Sequence, residues 1–257
     1  MIPVLLLREG GLVKGSQFKN HRYVGDPINA VKIFNEKEVD ELMFLDIGAT
    51  VNHAEPDFDL IADIAGEAFM PFGYGGGITN VQQIEKIFSI GVEKAVINSA
   101  AFLNPSLVAD AARVSGSQSI VVSMDVKKSL FGGYEVFVNN GQTRTKIDPV
   151  SYAQKMQELG AGELVVCAID REGTAKGYDT DLLNKVASSV EIPVVGLGGA
   201  GTLEDLADVV NTTEVSALAA GDMFVFHGRH KAVLITYPKY TALEKLLDQR
   251  REYGSGL

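Results

Sequence analysis

The sequence predicts an α/β protein folded as a closed (β/α)8 barrel, and three observations carry that prediction. Eight short apolar runs alternate with segments of helical period. The two halves of the chain repeat one another. Each half also places a glycine-rich stretch between an apolar run and a helical pattern.

The runs are Ile2–Leu7, Leu42–Ile47, Phe69–Phe72, Ala95–Ile97, Ile120–Met124, Leu164–Ile169, Val194–Leu197 and Val215–Ala219. They are continuous rather than alternating, as expected of parallel strands buried on both faces. Helical period falls on Ile28–Phe34, Leu60–Ala68, Val81–Ile90, Ser106–Arg113, Pro149–Leu159, Asp181–Val186, Leu203–Val209 and Tyr240–Arg250. Thr79-Asn80, Asn104-Pro105 and Asp148-Pro149 supply start signals for three of them. An open doubly wound sheet shares this alternation, but a twofold repeat with four units per half closes more naturally into a barrel.

The repeat spacing is 122–124 residues: Asp26-Pro27 matches Asp148-Pro149, Glu41 matches Glu163, and Asp46 matches Asp170. The glycines keep the same register, Gly75 lying 123 residues before Gly198. The chain therefore reads as a diverged duplication, one barrel domain over residues 1–257 with half-barrels at roughly 1–118 and 119–240. One segment breaks the rhythm. Phe131–Gly141, with Asn140-Gly141 at its turn, reads as a β-hairpin that is either a flap over the active face or a surface decoration.

Composition narrows the function. A net charge of −10 argues against a general nucleic-acid or membrane-surface binder but leaves room for a local anion site. A lone Cys167 excludes an internal disulfide framework, and no export signal or long apolar run is present, so the expected setting is soluble and cytoplasmic. No metal and no cofactor are expected: His21, His53, His227 and His230 show no ligand spacing beyond His227-Gly228-Arg229-His230, which lies off any strand end.

In barrels of this kind the reacting groups sit at the C-terminal ends of strands. Asp125, closing Ser123-Met124-Asp125, is the candidate general acid or base, because a carboxylate at an apolar mouth is tunable towards neutrality. A helix cap or a Lys127 pair is the plainer reading. Gly76, Gly77, Gly198 and Gly199 form two cradles whose backbone amides can approach phosphate. Tight packing explains either loop alone, yet not why both halves keep one. Two cradles on one mouth suggest a ligand with a phosphate at each end. Asn98 and Ser99 add donors beside the first cradle, or simply cap a helix. Asp170, Gly173 and Thr174 present donors from Asp170-Arg171-Glu172-Gly173-Thr174, or form an ordinary turn.

Across nearly its whole length the sequence resembles the cyclase subunit of imidazole glycerol phosphate synthase, the (β/α)8 half of a glutamine amidotransferase in histidine biosynthesis. The motifs include Gly11-Leu12-Val13-Lys14-Gly15, Gly75-Gly76-Gly77-Ile78, Ser123-Met124-Asp125, Ile169-Asp170-Arg171-Glu172-Gly173-Thr174 and Gly198-Gly199-Ala200-Gly201. The resemblance implies a partner glutaminase subunit at the N-terminal barrel face and ammonia crossing the barrel to a phosphorylated or nucleotide-sugar substrate. It places an entrance gate on Glu41, Lys94 and Glu163. It also implies a pair of catalytic carboxylates, of which Asp125 is one, while Leu6 stands where the other should be. Near the second cradle Gly221 replaces a family serine, and Asp222 adds a negative charge. These departures resemble the cyclase-like paralogue of bacterial surface-polysaccharide loci, which implies ammonia supply for amidine formation on a sugar. A true cyclase and a non-catalytic glutaminase-activating scaffold are the alternatives.

Overall fold

The computed structural model describes residues 1–129, 132–228 and 230–246. Among them, eight parallel strands close a barrel: β1 (Ile2–Arg8), β2 (Leu42–Asp46), β3 (Phe72–Gly75), β4 (Lys94–Ile97), β5 (Ile120–Lys128), β6 (Glu163–Ala168), β7 (Val194–Leu197) and β8 (Ala217–Ala220). Each strand pairs with the next. β8 returns to β1, Ile2 opposite Ala219. The expected (β/α)8 class is the observed one.

The helices are α1 (Pro27–Glu36), α2 (Phe58–Glu67), α3 (Val81–Ile90), the short α4 (Ser99–Leu103), α5 (Ser106–Ser115), α6 (Pro149–Glu158), α7 (Thr180–Ala187), α8 (Leu203–Thr212) and the short α9 (Asp222–Val225). Residues 240–246 are also helical, and the last four positions of the expected terminal helix lie outside the described residues. Local chemistry starts several helices. Asp26, Asp57, Asn80, Asp148 and Asp179 each accept a backbone N–H in the first turn, a contact worth about 1 kcal/mol apiece. Residues three and four apart then face the barrel, as with Ala30, Val31 and Phe34 or Ile84 and Ile87, all without exposure.

Two apolar layers result. One fills the space between strands and helices. The other fills the bore with Met43 and with Ile2, Val4, Val96, Val121, Val165 and Val195, β-branched side chains that pack well on pleated walls.

Three local readings change. The third strand begins at Phe72 rather than Phe69, because Pro71 interrupts the run and Phe69 is 88% exposed. The chain after β1 turns back as an antiparallel hairpin, Gly11–Ser16 with Lys19–Gly25, which the sequence did not announce. The expected hairpin at Phe131–Gly141 is also redrawn. Tyr134–Val138 pairs on one side with the extension of β5 and on the other with Thr143–Arg144. Asn139, Asn140 and Gly141 make its turn at φ 54, 55 and 73°. Phe131 lies outside the described residues.

Candidate active site at the barrel mouth

One cavity opens at the C-terminal ends of the strands and descends into the bore as far as Val4 and Val96. Asp125 is set in its wall at 7% exposure, from the point where β5 leaves the barrel and pairs with Phe137 of the insertion. Burial pushes its carboxyl up to about 7, against the lowering effect of an Asn98 hydrogen bond and with the Glu172 charge adding to the rise. Asn98 Nδ2 donates to Asp125 Oδ2 at 3.0 Å. Ser99 Oγ donates to Asn98 Oδ1 at 3.4 Å and accepts the Asn139 backbone N–H at 2.9 Å. This relay fixes the carboxylate and ties the insertion's tip to it. A group half-ionised near neutrality can both take and return a proton.

At the corresponding place on β1, Leu6 also lines the cavity, paired with Val13 of the first hairpin. The mouth nevertheless holds a second carboxylate. Glu172, 7% exposed, arrives from the loop after β6 and forms a buried ion pair with Lys14 of the first hairpin. His21 of the same hairpin lines the cavity, and burial with the Arg8 and Lys14 charges lowers its pKa, favouring the neutral ring. The sequence assigns no role at the mouth to any of the three: Lys14 and Glu172 stand only within motifs of the family resemblance, and His21 is weighed only as a metal ligand.

The first cradle shapes one side of this cavity through Gly76 and Gly77, next to Asn98 and Ser99. Gly76 adopts φ 124°, and a Cβ there would come within 2.5 Å of the Asp46 carbonyl oxygen, so the close approach requires glycine. The second cradle is placed differently. Gly198, Gly199 and Gly221 do not line the cavity, nor do Asp170, Gly173 and Thr174. Asp170 Oδ2 accepts the Lys128 backbone N–H at 3.0 Å, and Thr174 Oγ donates to the Arg171 carbonyl at 2.7 Å. Gly173 packs on the Gly15 backbone. Cys167 faces the bore, where burial raises its thiol pKa. Among the described residues no group of three His, Cys, Asp or Glu is spaced to hold a metal ion.

At the opposite end of the bore Lys94 Nζ stands 2.8 Å from Glu41 Oε1 and 3.0 Å from Glu163 Oε2. Burial alone would lower the Lys94 pKa, but its bonds and charges with Glu41 and Glu163 outweigh that and raise it. Glu163 is raised, burial outweighing the pull of Lys94. The three residues expected at an entrance thus meet at the strands' N-terminal ends.

The profile of the family described as "Histidine biosynthesis protein" matches residues 1–231. The chain belongs to this family. Its relatives within the histidine biosynthesis protein family fall into two groups by name. A Pseudomonas aeruginosa protein provisionally named imidazole glycerol phosphate synthase subunit hisF2 is 52% identical over 95% of this chain and 97% of its own length. A Vibrio vulnificus protein provisionally named subunit hisF3 is 49% identical over 96% of each. The Petrotoga mobilis imidazole glycerol phosphate synthase subunit HisF, named without qualification, is 41% identical over 88% of this chain and 89% of its own. No helix among the described residues is long and apolar enough to cross a membrane.

Proposed function

We propose that this chain is the synthase-type subunit of a glutamine amidotransferase complex, receiving ammonia at the Lys94 end of the barrel and delivering it to an acceptor at the Asp125 end. The observation that carries the reading is the alignment of the two sites on one bore. A charged cluster at the strands' N-terminal ends and a tunable carboxylate at their C-terminal ends are separated by small and branched apolar side chains. Such an interior favours an uncharged molecule of ammonia's size over its protonated form. A glutaminase docked around Glu41, Lys94 and Glu163 would supply it. At the mouth the relay from Asn139 through Ser99 and Asn98 holds Asp125 to accept the proton released when nitrogen bonds to the acceptor.

For the acceptor, the reading adopted is amidine formation on a surface-polysaccharide sugar. Its support is Leu6 in place of an acid on β1 and the greater identity to provisionally named relatives than to the Petrotoga subunit. A second reading, a true imidazole glycerol phosphate synthase cyclase, draws on Glu172, which supplies the mouth with a second carboxylate.

The test reconstitutes the chain with its glutaminase and the histidine-pathway intermediate. Glutamine hydrolysis should rise on complex formation while no imidazole product appears. Efficient imidazole formation would transfer the assignment to the cyclase reading, and no effect on the glutaminase would end the ammonia-transfer reading altogether.

A further inference from the structure

The mouth treats its two glycine cradles unequally. The cavity is walled by Gly76, Gly77, Ser99 and Ala100 of the first half, and by none of Gly198, Gly199, Ala200, Gly201 and Gly221 of the second. Side chains of the chain itself account for the difference. Glu172 Oε2 stands 3.4 Å from where a Cβ on Gly198 would lie, and the Nζ of its partner Lys14 stands 2.7 Å from the same point on Gly221. Next to Gly221, Asp222 is 8% exposed, and Lys231 Nζ reaches both of its carboxylate oxygens at 3.1 Å. The same ammonium donates to the Gly173 carbonyl at 3.1 Å, tying Asp222 to the loop that carries Glu172. A third carboxylate, Asp205, accepts the Gly201 and Thr202 amides at 2.8 and 2.9 Å.

Lys14, Lys231 and two of the loop's amides are therefore already committed to carboxylates. An incoming phosphate would meet three like charges, and taking either lysine would leave a buried carboxylate without its cation. The first cradle differs in kind. Its counterpart to the Asp205 contact is neutral, the Gln83 side-chain oxygen accepting the Thr79 amide at 2.8 Å. Its nearby carboxylate, Asp46, is turned onto the amides of Gly48 and Ala49 at 2.8 and 3.0 Å.

We propose that the second cradle is filled by the chain's own carboxylates, Asp222 foremost, so that this barrel takes a ligand with an anionic group at one end alone. The other end of that ligand is neutral and rich in hydroxyl or amide groups, lying against Glu172, His21 and Asp125. That the ligand is the ammonia acceptor rests on the function proposed above; the occupancy of the cradles does not. This pairing replaces the expectation of a phosphate at each end.

Titration of the full chain with inorganic phosphate, followed by backbone amide NMR, tests it. The wild type should show one saturable event, with shifts at Gly76, Gly77 and Ser99 and none of comparable size from Gly198 to Gly201. Asp222→Ser should gain a second event at Gly198–Gly201, at least about tenfold tighter than any residual wild-type binding there. Equal responses at both cradles in the wild type would overturn the proposal, as would no response at the first. A folded Asp222→Ser that still binds one phosphate would overturn the role of Asp222. One phosphate without glutaminase activation would sink the functional reading and leave this one standing, and two phosphates with full activation would do the reverse.

Discussion

The two halves of the barrel mouth occupy matching places in the fold and have diverged in opposite directions. In the first half, β1 ends its bore-facing side with the aliphatic Leu6, and the cradle at Gly76 stays open to the cavity. In the second, β5 carries the titratable Asp125 at the mouth, and the cradle at Gly198 is closed by ion pairs. One half sets an aliphatic side chain beside an open glycine turn, while the other sets a titratable acid beside a glycine turn hemmed in by its own ion pairs. The hairpins that follow β1 and β5 sharpen the division. The first carries Lys14 and His21 into the mouth, and the second brings Asn139 against Ser99. Each half therefore brings to the mouth groups that the other does not.

The largest effect that could break this comparison is catalytic. Asp125→Asn is expected to lower ammonia-dependent acceptor turnover by about 10²–10⁴-fold, the range for removing a positioned acid or base. Leu6→Asn should leave it nearly unchanged. Steady-state rates of the two variants in the glutaminase complex decide the matter, and equal losses would mean that the halves still act as a pair.

A second effect separates the halves by pH. Asp125 binds its proton more tightly folded than unfolded, since burial raises it from an ordinary carboxylate value to about 7. Folding therefore takes up a proton between those values, and stability falls as pH rises through that window. Asp125→Asn should remove the dependence and be the more stable protein above pH 7, by on the order of 4 kcal/mol, with little difference near pH 4. Urea denaturation at the two pH values measures it, and Leu6→Asn should show no such slope.

At the far end of the bore, Lys94→Met would leave Glu41 and Glu163 facing each other without a cation. With Lys94 22% exposed, the expected destabilisation is about 2 kcal/mol, below the full cost of a stranded buried charge. Lys94→Arg should recover most of it in the same denaturation experiment. The smallest effect belongs to the second cradle. Lys231 is 44% exposed, so Lys231→Ala should cost about 1 kcal/mol or less. A loss as large as that from Lys94→Met would show that the burial of the Asp222 side chain, 10% exposed, outweighs the solvent screening of Lys231.

Much of this architecture was legible in the chain. Continuous runs such as Val165-Val166 and Val194-Val195 mark strands buried on both sides, and Asp148-Pro149 marks a helix start from chemistry within four residues. The end of the apolar run Ser123-Met124-Asp125 located Asp125, and the glycines after Phe72 located the first cradle, because strand ends and glycine turns are local features. The first hairpin escaped notice because Leu12-Val13-Lys14-Gly15-Ser16 offers no continuous apolar run, and a lysine in such a segment reads as a solvated charge.

What the sequence by itself determined was the alternation of barrel strands and helices, their order and the carboxylate that closes the apolar run of the fifth strand, since each depends on neighbours a few residues away. The tertiary structure alone decided that Lys14 is buried against Glu172, 158 residues distant, and that Asp222 and Lys231 close one cradle while the other stays open. Burial and pairing of charge depend on which distant groups the closed barrel brings together, and no local pattern encodes that.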